Sequence, residues 1–271
     1  MTLWRFVWKS LWHHRQVHAA TALAIIATTA VITGALIVGD SVRGSLRGLT
    51  LQRLGKIDVL LLSDRFFRAE LANELAQETA FKEQGFESAV GAAIFPFGTV
   101  EWRDGDRSSR ASSITVLGVD SNFAKFDSTE VFGGEHPAAK IPGKGEIVLN
   151  QPLAEDLGVK VGDQVTVRFP RPTEVPADSA LGRKSDRISS LPQLKVIAII
   201  PPRGLGRFSL TANQNLPRNA YVSLADLQNA LRQEGKVNTV LIAGAKPEAG
   251  TSPEQVAALR QTLQPQLADY G

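Results

Sequence analysis

The sequence predicts an α+β protein: one N-terminal transmembrane helix with a stalk, followed by a mixed α/β extracytoplasmic domain. Three observations lead there. Residues 19–39 carry no formal charge. From residue 57 onward, apolar runs of strand length are interspersed with short helical patterns, with neither strict βαβ alternation nor an internal repeat. The excess of 30 Lys and Arg over 27 Asp and Glu lies in residues 1–18, which hold Arg5, Lys9 and Arg15 and no acid. The expected division is an amphipathic arm at 1–18, a transmembrane helix at 19–39, a helical stalk at 40–56 and a folded domain at 57–271.

The position of the charge decides what the basic pI near 9.3 means. Nucleic-acid binding needs a basic patch on a domain. Here the body is charge-balanced, so no nucleic-acid partner is expected. The absence of cysteine excludes a disulfide framework, Cys-ligated zinc, iron–sulfur clusters and thiol catalysis. At 43% hydrophobic and 21% charged residues, the body can bury an ordinary core.

Taken in order, the arm places Trp4, Trp8 and Trp12 at i, i+4 and i+8, one face of a helix, with Arg5, Lys9 and His13 on a neighbouring face. Tryptophan favours the headgroup level and cations favour anionic lipid. Trp4, Arg5, Trp8, Lys9, Trp12 and Arg15 are therefore candidate membrane-interface anchors, with membrane lipid as their partner. Whether the arm is a separate interfacial helix or the start of one long helix stays open. A helix over 19–39 is about 30 Å long, the thickness of a bilayer core. It exceeds the h-region of a cleaved signal peptide, and no cleavage pattern follows it. Lys and Arg flank both ends in nearly equal number, so charge alone sets orientation weakly. The arm is expected inside and the body outside, because the body is the part large enough to be a translocated domain.

Beyond the membrane, Val42, Leu46 and Leu49 keep helical spacing, with Gly44 and Gly48 as weak points in the stalk. A strand is expected at 57–62, a helix at 67–80, and a hairpin at 88–119 turning at Arg103-Asp104-Gly105-Asp106. Residues 133–145 read as loop. Residues 145–169 follow: a strand from Glu146, a helix capped by Asn150 that buries Leu153, Ala154 and Leu157, a stop at Gly158, and a turn at Gly162-Asp163 into a strand. Four prolines make 170–192 an expected projecting loop. Strands are expected at 194–200, 220–222 and 237–242. Ser223 with Asp226, and Ser252 with Gln255, read as helix starts of capping-box type.

Catalytic signatures are weak. Gly143-Lys144-Gly145 lacks the spacing and the Ser/Thr of a phosphate-binding loop, and Gly204-Leu-Gly206 reads as a turn. His136 is the only histidine outside the arm, so a catalytic triad would depend on one residue in a Gly/Pro loop. Glu155, Asp156 and Asp163 read as solvated. His13, His14 and His18 read as interfacial residues before they read as metal ligands. No catalytic residue, cofactor or metal is expected.

The arm, the single helix ending near Gly34 and Gly39-Asp40, and GEIVLNQPLAEDLGVKVGDQVTV together resemble the MacB/FtsX/LolC-type permeases of ABC transporters, in their N-terminal helix and MacB-like periplasmic core domain. Residues 196–200, 204–206 and 219–227 are similar to the ending of that domain. On this resemblance Gly39, Asp40, Leu153, Ala154, Leu157, Gly158, Gly162 and Asp163 are family-motif positions. It implies an inner-membrane protein without enzymatic activity, single-pass as given, that relays motion to its extracytoplasmic domain. ATP would be hydrolysed on a separate subunit. It implies as partners that ABC ATPase, a further permease copy or C-terminal permease half, and an extracytoplasmic substrate or adaptor. Relatives of this kind carry further membrane helices after the domain, so the chain reads as an N-terminal fragment or as a truncated or split version. The alternative is a membrane-anchored adaptor or binding protein without an ATPase.

Overall fold

A computed structural model describes residues 3–133, 138–171, 188–210, 215–244 and 251–263. His136 and residues 172–187 of the expected 170–192 loop lie outside the described residues. The chain forms two units, Met1–Leu49 and Thr50–Gly271.

The first unit is helical. Helix α1 (Leu3–His13) and helix α2 (Arg15–Leu54) are separated only at His14. The main-chain ladder runs through that point: His14 N donates to Ser10 O and His18 N to His14 O. At 40 residues α2 is about 60 Å long, twice a bilayer core. Thr21 and Thr28 return their hydroxyls to Val17 O and Ala24 O, which satisfies them without water.

The second unit is a mixed sheet with short helices. Its strands are β1 (Val59–Arg68), β2 (Phe86–Asp104), β3 (Arg107–Val119), β4 (Glu146–Asn150), β5 (Gln164–Pro170), β6 (Ile188–Ile200), β7 (Asn219–Ser223) and β8 (Lys236–Gly244). They follow the order β1-β8-β2-β3-β7-β4-β6-β5, and β5 also pairs with β2. That last pairing closes β2, β3, β7, β4, β6 and β5 into a ring, leaving β1 and β8 as an antiparallel extension on β2. The β3–β7 and β4–β6 pairings are parallel. Strand β2 serves both parts: Phe86–Ala92 pairs with β8, and Ala93–Asp104 with β3. Within the β3-paired part, between Phe95 and Gly98, lies a bulge where Phe97 takes φ 67°, the kind of irregularity that lets a strand turn a barrel corner.

Alternation along the strands makes three cores. Ring strands point Val100, Ile114, Val116, Ile147, Leu149, Val167 and Val222 inward, and helices α5 (Gln151–Leu157) and α6 (Leu224–Leu231) add Leu153 and Leu227. The opposite side chains, Leu117, Val148 and Tyr221 among them, pack on Phe123, Phe126 and Leu205 from two 3-10 turns, Ser121–Phe126 and Gly204–Arg207. The extension is covered by α3 (Glu70–Gln77), α4 (Thr79–Glu83) and α7 (Pro253–Thr262), burying Phe81, Phe86 and Leu259.

Four expectations are corrected. The first strand runs on to Arg68 through an irregularity after Leu62, because Phe66 and Phe67 are buried against the sheet; the expected helix at 67–80 becomes α3 and α4, broken where Glu78 is extended. Residues 188–192, expected as loop, belong to β6. Pro192 fits there because the register shifts beside it and Gln193 takes φ 54°, so no ladder N–H is needed. Ser223 makes no side-chain cap; Asp226 instead accepts from Gly145 N at 2.6 Å. The stalk helix, expected to residue 56, ends at Leu54, where Gly55 turns to φ 61°.

Candidate functional site

The membrane candidate comes first. Among the described residues one helix is long and apolar enough to cross a membrane, within Arg15–Gly48, and none of its apolar window is buried. Exposure of Ile25, Ile26, Val31, Leu36 and Ile37 above half is costly in water and favourable in lipid. In α1 the candidate anchors Trp4, Trp8 and Trp12 are 78%, 66% and 71% exposed; Arg5 and Lys9 are on the same helix, and Arg15 begins α2. Gly39 and Asp40 lie within α2. A Cβ on Gly39 would meet nothing within 4 Å, so no contact among the described residues requires glycine there. The rings of His13 and His14 meet edge-on at 4.8 Å, and those of His14 and His18 at 6.5 Å.

The second candidate lies within the folded domain, at the foot of α2. Arg53 is only 2% exposed, and its Nη2 donates to Asn215 O at 3.1 Å. Burial, and then the nearby Arg207 cation, lower its pKa from the ordinary value. Leu54 packs on the core beneath. Gly55 ends the helix in the left-handed region, and a Cβ there would lie 2.6 Å from Phe126 O and 3.5 Å from Leu205 Cδ2. Three successive amides then bond: Lys56 N to Phe126 O, Ile57 N to Leu54 O, and Asp58 N to Ile242 O. Asp58 returns an oxygen to Gly244 N at 2.7 Å. Burial raises the Asp58 pKa against the lowering effect of that bond.

The positions expected from the family resemblance, apart from Gly39 and Asp40, form a third group, around α5. Asn150 Oδ1 accepts from Leu153 N as the helix cap. Leu153, Ala154 and Leu157 are buried, and Gly158 stops the helix at φ 70°. Gly162 takes φ 104° and donates to Val196 O, while Asp163 Oδ2 accepts from Lys160 N at 2.8 Å and so closes its own turn. These residues set the α5–β5 corner; they present no reactive group to a cleft.

Sequence reasoning missed Arg53 and a buried polar network. Asn150 Nδ2 donates to Gly206 O and Pro217 O, and Asn150 Oδ1 also accepts from Asn219 N. Asn219 Nδ2 reaches Phe208 O and Tyr221 Oη, and Tyr221 donates to Leu205 O. Burial pushes the Tyr221 hydroxyl well above the usual phenol range, so it stays protonated and donating. Beside this network Asp127 accepts from Thr129 N, Thr129 Oγ1, Phe132 N and Gly133 N. Asn150, two residues before Pro152, and Asn219, two before Tyr221, were the available signal, legible as caps or turns but not as partners of each other.

A helix long and apolar enough to cross a membrane, followed by a mixed sheet closed into a ring, defines a protein with one candidate membrane span and an α/β domain. The chain belongs to the family of MacB-like periplasmic core domains, whose model matches residues 19–262. It is similar to the crystal structure of the periplasmic region of MacB from Actinobacillus actinomycetemcomitans, at 11% identity, 77% coverage of this chain, 82% coverage of that one and a TM-score of 0.40. No curated protein matches it.

Proposed function

We propose that the chain is the permease part of an ABC transporter of the MacB/FtsX/LolC type, relaying ATP-driven motion through α2 to the extracytoplasmic domain. The observation that carries this is the family match running from the apolar helix into the domain. The length of α2 supports it: a bilayer core takes about half of its 60 Å, and the rest continues as helix instead of flexible linker. A helix transmits displacement along its axis; a tether of loop would absorb it. In this reading ATP is hydrolysed by a separate cytoplasmic ABC subunit. The arm lies at the inner face of the cytoplasmic membrane, held by Trp4, Trp8 and Trp12 at headgroup level and by Arg5, Lys9 and Arg15 on anionic lipid. A second permease copy or a C-terminal permease half completes the membrane part, and an extracytoplasmic substrate or adaptor meets the domain.

The test is a flexible Gly-Ser insertion at Gly48 in the full assembly. Transport should be lost while the ATPase continues to turn over and the domain keeps its thermal midpoint. Undiminished transport rules out the rigid relay. Failure of the unmodified chain to co-purify with any ABC ATPase favours the anchored-adaptor alternative.

A further inference from the structure

We infer that Arg53 is the positioning residue of a rigid joint that fixes the rotational setting of the last turn of α2 in the domain. The inference rests on the relay reading for its use in transport, but the joint is a property of the domain and is measured separately. A guanidinium that is 2% exposed has lost its water, and a methionine of similar volume would fill the space without that penalty. What an apolar side chain would not supply is direction. It packs nearly as well after a small rotation, whereas the guanidinium holds a directional hydrogen bond to the Asn215 carbonyl that weakens as the angle changes. The Arg207 cation is near enough to repel it, which adds to the penalty of its burial.

The surroundings are built to the same end. Gly55 sits between the two 3-10 turns, within reach of Phe126 O on one and Leu205 on the other. There is no slack after it. Lys56, Ile57 and Asp58 are each tied by a main-chain bond, and β1 starts at Val59 already paired to Ile242. A rotation or pull arriving at residue 53 therefore passes into the 121–126 turn, the 204–207 turn and the β1–β8 pair together. These carry the outer core, with Tyr221 and Val148, and through it the ring.

The absence of native cysteine makes the test direct. Spin labels are placed at Leu51→Cys, half exposed on the last turn of α2, and at Lys160→Cys, exposed on the ring, in the full chain in lipid nanodiscs. The width of the distance distribution reads the joint. The parent should give a narrow distribution. Arg53→Met should broaden it while the thermal midpoint of the domain stays or rises, an outcome that mere loss of stability would not produce. Arg53→Lys keeps the charge, loses the planar fork and should broaden it as well, which covers the case in which the methionine variant does not fold. Distributions as narrow as the parent's in both variants overturn the joint. In the assembly with its ATPase, Arg53→Met should lower substrate moved per ATP hydrolysed without stopping hydrolysis; an unchanged ratio overturns the positioning role. Absence of any ATP-driven motion in the parent assembly overturns the relay reading and leaves the nanodisc result to decide the joint.

Discussion

Asn150 shows how one short side chain can hold three segments. It caps α5 at Leu153, accepts from Asn219 at the start of β7, and donates to Gly206 and Pro217. Asn150→Ala removes the cap, worth about 1 kcal/mol, and leaves the buried Asn219 N–H without its acceptor, at about 1–3 kcal/mol. The expected loss is about 3 kcal/mol in urea unfolding of the full chain in detergent. Val161→Ser, at an exposed side chain with no such bonds, should stay within about 0.5 kcal/mol. Asp127 makes a pH prediction. Burial alone would raise its pKa, but bonds from Phe132, Thr129 and Gly133 together outweigh burial and hold it below the ordinary 3.8. A carboxyl lowered in the folded state stabilises above its unfolded pKa and loses that contribution as pH falls through the folded value. Asp127→Asn should therefore lower the melting temperature at neutral pH, and its deficit against the parent should shrink on acidification below 3.8. A deficit that grows with acid contradicts the assignment.

Elements were legible where local chemistry decides them. Cap, proline, apolar spacing and glycine stop all act within a few residues in α5, so the sequence places that helix well. The hairpin of β2 and β3 was legible for the same reason, its turn carrying Gly105 at φ 58°. Boundaries failed where tertiary contacts override local preference. Phe67 reads as the start of a helix, yet its burial beside Phe66 keeps it in β1. Prolines made 188–192 look like loop, yet a bulge lets Pro192 stay in β6. Gly55 combines both kinds of constraint. Its positive φ is an ordinary helix stop, legible in principle from sequence, while its closeness to Phe126 O is visible only in the fold. Gly55→Ala brings the left-handed penalty of about 1 kcal/mol and a contact at 2.6 Å that backbone must relieve, for an expected loss of about 2 kcal/mol. Gly105→Ala has the same φ class and open space, so it isolates the conformational part and should cost about 1 kcal/mol. Equal losses at the two sites, measured by thermal unfolding of the full chain, would show that Phe126 yields freely and that the joint is soft.

Closure of the ring depends on β2 meeting β5 and on two parallel pairings between distant segments, which no local pattern encodes. Orientation across the membrane is likewise set by the whole molecule. Arg5, Lys9 and Arg15 on one side of the apolar run face Arg43, Arg47, Arg53 and Lys56 on the other, and the positive-inside preference counts such residues nearly equally. The structure removes one residue from that contest: Arg53 is buried in the domain and cannot serve as a free juxtamembrane cation. The flank is thereby reduced to Arg43, Arg47 and Lys56, with Asp40 beside them, while the arm keeps three cations and adds three tryptophans. Size tips the balance further, because a folded domain such as the second unit crosses largely regardless of its charge. The arm should therefore be cytoplasmic and the ring extracytoplasmic. Single cysteines at exposed Ser10 and Lys160 read this in a chain with no background thiol. In intact spheroplasts a membrane-impermeant maleimide should label Lys160→Cys and spare Ser10→Cys, which becomes reactive only after lysis. Labelling of Ser10→Cys before lysis would invert the topology and place the domain on the wrong side of the membrane for the proposed relay.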